Sequence, residues 1–125
     1  MKRALVVDDI KGWRDFHSSV LMQLFPDNIE IETAESATKA YDILLSEREF
    51  DFIITDLQME DDYAPKLAGE WFVEQIKSFK CYRDTKIVII SASYNIRHIA
   101  ETLGVSCIPK GTATKCFSAY EEVLR

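Results

Sequence analysis

Four apolar runs in this chain each lead into a residue suited to phosphate or metal chemistry. Ala4-Leu5-Val6-Val7 runs into Asp8-Asp9, Phe52-Ile53-Ile54 into Asp56, Val88-Ile89-Ile90 into Ser91, and the run ending at Ile108 into Lys110. Gathered in one crevice, three carboxylates repel one another and raise each other's pKa. They stay ionised together only with a cation among them. A donor set of oxygens, with no neighbouring His or Cys, selects a hard cation. Mg²⁺ fits best, because it uses few carboxylates, keeps waters and bridges to phosphate oxygens. Lys110 adds a point charge of the right sign for phosphate, and Ser91 a neutral donor. A carboxylate in such a place is a nucleophile for an aspartyl phosphate. Singly, each residue has a plainer role: Asp as a turn former or cap, Lys as a solvated charge, Ser as a turn residue. Their coincidence at four strand ends carries the functional reading.

That reading requires elements that bring the four ends together. Residues 4–7, 52–54 and 86–90 are short, nearly continuous apolar runs, the pattern of strands buried on both faces of a parallel sheet. Residues 29–33 alternate and predict a more exposed strand, and 105–108 a short fifth one. Helical stripes lie between them. The first is Trp13, Phe16, Val20 and Leu24, and the second is Ala37, Ala40, Tyr41, Leu44 and Leu45, with Ser36 as N-cap. Phe72, Ile76 and Phe79 mark a third. Ile96, Ile99, Ala100 and Leu103 mark a fourth, closed by Gly104. Ala113, Phe117, Tyr120 and Leu124 mark a fifth. Strict alternation predicts an α/β fold, a single doubly wound parallel sheet of five strands with five helices. Such sheets bind ligands beyond the carboxyl ends of their strands.

The 125 residues suit one domain, 1–125. Fifteen basic against 21 acidic side chains give a net charge of −6, which argues against nucleic acid or an anionic membrane as partner. No apolar run reaches the ~18–20 residues of a membrane span. Asp8 and Asp9 end the N-terminal apolar run short of the ~7–15 residues of a signal core, so a cytoplasmic location is expected. Cys81, Cys107 and Cys116 form no C-x-x-C pair and read as reduced structural thiols. The short apolar strand is expected to bury Cys107. His17 and His98 have no partners at ligand spacing and read as surface groups.

Leu5-Val6-Val7-Asp8-Asp9, Asp56-Leu57-Gln58-Met59, Val88-Ile89-Ile90-Ser91-Ala92 and Lys110, in that order and spacing, resemble the receiver domain of two-component response regulators across essentially the whole chain. The resemblance implies a flavodoxin-like sheet of order 2-1-3-4-5. It implies that Asp56 accepts a phosphoryl group from a histidine kinase or phosphotransfer protein. Asp9 and Asp56 would bind Mg²⁺ directly, Asp8 would bind it through water, and the backbone carbonyl of Gln58 would complete the protein ligands. Ser91 and Lys110 would engage the phosphoryl oxygens. Gln58 and Ser93 occupy positions like those that tune dephosphorylation. Such a domain catalyses only its own phosphorylation and hydrolysis, so it is not a conventional enzyme. The output partner is unspecified.

Three features depart from the family pattern. Pro109 precedes the lysine and Gly111 follows it, where members place a proline after it. Cys107 stands three positions before the lysine, where members carry an aromatic. The loop after Asp56 is long and holds Glu60-Asp61-Asp62, which suits a solvated loop or a flap over Asp56. These departures motivate one alternative, a phosphorylation-independent pseudo-receiver that binds protein. A haloacid-dehalogenase-like phosphatase would need Asp-x-Asp after the first strand, and Ile10 stands where its second acid belongs.

Overall fold

The computed structural model describes residues 1–46, 48–59 and 67–125. Its strands are β1 (Lys2–Val7), β2 (Ile29–Ala34), β3 (Phe52–Thr55), β4 (Lys86–Ser91) and β5 (Ser106–Pro109). Its helices are α1 (Lys11–Leu24), α2 (Ala37–Leu45), α3 (Ala68–Ser78), α4 (Ile96–Leu103), α5 (Lys110–Ala113) and α6 (Phe117–Leu124), with a 3-10 turn at Lys80–Tyr82. The strands form one parallel sheet in the order β2-β1-β3-β4-β5. This is the expected doubly wound α/β architecture.

Burial follows strand position. All four residues of β3 are buried, as are the last four of β1 and of β4. The edge strand β2 keeps Glu30 exposed and buries only Ala34. Alternate side chains serve opposite faces. Ala4, Val6, Phe52, Ile54, Val88 and Ile90 pack under α1 and α6, against Val20, Leu21, Leu24, Tyr120 and Leu124. Leu5, Val7 and Ile53 face Ala40, Leu44, Phe72 and Ile76 of α2 and α3. Ile89 meets Val73 of α3 and Ile96, Ile99 and Ala100 of α4. The sheet is therefore clamped on both sides, and its carboxyl edge is held as a fixed rim.

Local signals act as expected at two ends. Ser36 Oγ accepts the Lys39 amide at 3.1 Å and starts α2. Gly104 closes α4 in the left-handed conformation, φ 71° and ψ 38°. One expectation needs correction. The fifth helical stripe is two helices rather than one, so the described residues hold six α-helices. Cys116 adopts an extended conformation, φ −137° and ψ 91°, and breaks the run between Ala113 and Phe117. Ala113, Tyr120 and Leu124 enter the same core, while Phe117, expected on that face, is exposed. The acidic segment 60–66, expected to form a loop or flap, lies outside the described residues.

Candidate functional site

Register builds the acidic centre. Val7 of β1 pairs with Thr55 of β3, so Asp8 and Asp56 leave neighbouring strands side by side. The Asp8 amide still donates to Ala34 O at 3.2 Å, and the Asp56 amide to Val7 O at 3.0 Å. The carboxylates therefore project from sheet-held backbone. Asp9 follows directly, and one carboxylate oxygen from each of Asp8, Asp9 and Asp56 lies within 4.8 Å of the others. Asp8 and Asp56 are buried and Asp9 is half-buried. Asp8 Oδ1 accepts the Ile10 amide at 2.9 Å, while Asp56 Oδ1 accepts the amides of Leu57 at 2.7 Å and Gln58 at 3.4 Å. Arg14 of α1 donates from Nη1 to the Asp8 carbonyl at 2.7 Å.

Lys110 enters this cluster from the opposite side of the rim, as the first residue of α5. Its Nζ donates to Asp56 Oδ2 at 2.8 Å. It also forms an ion pair with Asp8 Oδ2 at 3.1 Å, the one contact to that buried oxygen among the described residues. Burial pushes the Asp8 carboxyl above its usual range and the Asp56 charge adds to this, against the Ile10 amide and Lys110. Burial works against the Lys110 ammonium as well. The hydrogen bond to Asp56 and the charges of Asp56 and Asp8 outweigh it, and its pKa is raised. Three carboxylates and one ammonium carry a formal excess of two negative charges among these four groups. A divalent cation would balance them, and an all-oxygen set suits Mg²⁺.

Two further expected residues lie at or beyond the carboxyl ends of β4 and β3. Ser91 ends β4, buried, with its hydroxyl 3.1 Å from that of Ser93. Gln58 is exposed at the rim, two residues beyond Asp56. Gly69, in the first turn of α3, donates its amide to Leu57 O at 2.9 Å. A Cβ at Gly69 would sit 1.8 Å from the Asp56 carbonyl oxygen, so only glycine lets α3 press against the segment that carries Asp56.

Two expectations are overturned. His17 is not a surface group. It is 1% exposed, and its Nδ1 shares a 2.8 Å hydrogen bond with the Tyr120 hydroxyl of α6. Spacing held the signal, since position 17 is four beyond Trp13 and three before Val20, inside the apolar stripe of α1. Burial and the nearby Lys110 charge hold its pKa at about 4, with Asp56 opposing, so the ring is neutral. Cys107 is half-buried rather than buried, because β5 is an edge strand. Trp13 reads in the sequence as a core position only. The structure sets its ring against Lys110, with Nζ 4.7 Å from the centroid.

Comparison with known proteins agrees with this fold. The profile of the response regulator receiver domain family matches residues 4–119. The chemotaxis response regulator CheY4 of Vibrio cholerae is 23% identical, with a TM-score of 0.72 over 99% of both chains. The signal receiver domain of a DNA binding response regulator from Colwellia psychrerythraea 34H is 21% identical, with a TM-score of 0.77 over 98% of this chain and 97% of that one. The phosphorylated cyanobacterial phytochrome response regulator RcpA is 23% identical, with a TM-score of 0.75 over 98% of this chain and 90% of that one. At these identities the likeness shows the fold. No curated protein sequence matches the chain. Among the described residues, no helix is long and apolar enough to cross a membrane.

Proposed function

The chain belongs to the response regulator receiver domain family, and from that premise we propose that it is a phosphoacceptor switch whose acceptor is Asp56. The carrying observation is the meeting of Asp8, Asp9 and Asp56 around the Lys110 ammonium, with a formal excess of two negative charges among these four groups. An Asp56 carboxylate oxygen forms a bond to phosphorus, while the bond from phosphorus to the donor's leaving group breaks and that group keeps the electron pair. The donor is a histidine kinase or phosphotransfer protein, and acetyl phosphate serves as a small substitute. Mg²⁺ held by Asp9, Asp56 and the Gln58 carbonyl, with Asp8 through water, would supply positive charge beside the incoming phosphoryl oxygens. Lys110 pairs with Asp56 before transfer and with a phosphoryl oxygen afterwards, so it carries its charge over to the product. Ser91 donates a hydrogen bond to another phosphoryl oxygen. The added charge biases a two-state element on the β4–α4–β5 side and so changes what a downstream protein meets.

Intact-mass measurement after acetyl phosphate and Mg²⁺ tests this reading. One phosphoryl adduct on the wild type and none on Asp56→Asn is the expected result. An unmodified wild type that also shows no Mg²⁺-dependent response to beryllofluoride would overturn it, in favour of a phosphorylation-independent protein-binding module.

A further inference from the structure

Lys110 receives little guidance from its own neighbours in sequence. It follows Pro109 and precedes Gly111, which is exposed and has no heavy atom within 4 Å of a Cβ placed there. A lysine side chain is flexible, and two carboxylates within reach offer it more than one resting place. Asp56 and Asp8 hold its ammonium at 2.8 and 3.1 Å, and α1 supplies a third contact. Trp13, in the first turn of that helix, presents its ring to Lys110 Nζ at 4.7 Å from the centroid. The ammonium thus touches two carboxylates and an indole face.

The indole is itself fixed. Phe16 meets it edge-on at 5.7 Å, and the His17 ring lies against it at 5.4 Å and 33°. His17 is tied to α6 through the 2.8 Å hydrogen bond to Tyr120, which is completely buried. A continuous stack therefore runs from α6 through His17 and Trp13 to the ammonium.

We propose that Trp13 is a positioning residue, which holds the Lys110 ammonium by a cation–π contact in the orientation that serves Asp56. This rests on the phosphoacceptor reading for its consequence, but the contact can be tested apart from it. Trp71, on α3, is the other tryptophan, so Trp71→Phe leaves Trp13 as the sole tryptophan, excited selectively at the red edge of its absorption. In that background Lys110→Met should shift the Trp13 emission maximum, because a charge beside the indole is removed. An unchanged spectrum would refute the contact.

The second arm measures phosphoryl uptake from acetyl phosphate with Mg²⁺. Trp13→Leu keeps apolar bulk but has no π face, and should slow uptake about three- to thirtyfold, the span expected of a partly to fully desolvated cation–π contact. Trp13→Phe should recover part of that loss. Equal rates for the Leu and Phe variants, at matched urea midpoints, would assign Trp13 a packing role only and overturn the proposal. If the wild type takes up no phosphoryl group and shows no Mg²⁺-dependent response to beryllofluoride, the phosphoacceptor reading falls, and the emission arm alone decides the contact.

Discussion

Acidification should weaken this fold through His17, by an amount that can be worked out in advance. The ring is 1% exposed, and its pKa falls from the ordinary 6.5 to about 4. Desolvation is the main cause, the Lys110 ammonium adds to it and Asp56 opposes. Because the folded pKa is the lower one, the unfolded chain binds the proton first. Stability is therefore full above pH 6.5, falls as pH drops towards 4, and levels off below that. A displacement from 6.5 to about 4 corresponds to about 3 kcal/mol at 1.36 kcal/mol per unit. That is a large part of the roughly 5–15 kcal/mol that separates folded from unfolded domains of this kind.

Urea unfolding of the wild type and of His17→Gln across that window isolates the contribution. The carboxylates and His98 are common to both proteins, so their titration cancels in the difference. His17→Gln keeps a polar partner for the Tyr120 hydroxyl but takes up no proton. The wild type should lose about 3 kcal/mol more than the variant between neutral pH and pH 4. Parallel stability curves would refute the reasoning, as would an NMR titration that protonates the His17 ring above pH 6.

Two other substitutions probe the frame of the acidic centre. Gly69→Ala would force a Cβ to within 1.8 Å of the Asp56 carbonyl oxygen, so it should cost about 1–3 kcal/mol by urea unfolding and slow phosphoryl uptake by shifting Asp56. Asp8→Asn should raise the metal-free midpoint at neutral pH, because the buried carboxyl has a raised pKa and its ionised form is held at a cost that grows as pH rises above 3.8. The same variant should lose most of the stabilisation that Mg²⁺ gives in a thermal melt, and an unaltered Mg²⁺ response would count against the assigned metal site.

The carboxylates are legible in the sequence because strand periodicity places Asp8 and Asp56 one residue beyond buried runs, and parallel register converts matching strand ends into spatial neighbours. Lys110 is legible for the same reason. His17 and Trp13 are harder to read. Helical spacing shows that both lie on the apolar face of α1, but it does not show which other elements that face touches. That depends on α6 returning beside α1, a long-range contact between Tyr120 and His17. The split of the last stripe into α5 and α6 is likewise invisible to periodicity, since Ala113, Tyr120 and Leu124 keep one apolar face across the break. The exposure of Cys107 follows from strand order, which apolar content alone does not give.

The first helix therefore has a larger part in the site than its lack of charged ligands suggests. Arg14 holds the Asp8 carbonyl, Trp13 faces Lys110, and His17 grips α6. Burial and the Lys110 charge keep the His17 ring neutral, so the contact with Trp13 is made by an uncharged imidazole. Lys110 bridges two parts of the rim, since its backbone opens α5 while its ammonium binds the ends of β1 and β3. The contacts from α6 through His17 and Trp13 thus reach the ammonium at the acidic centre, and α6 itself packs on Val88, Ile90 and Ile108 of β4 and β5.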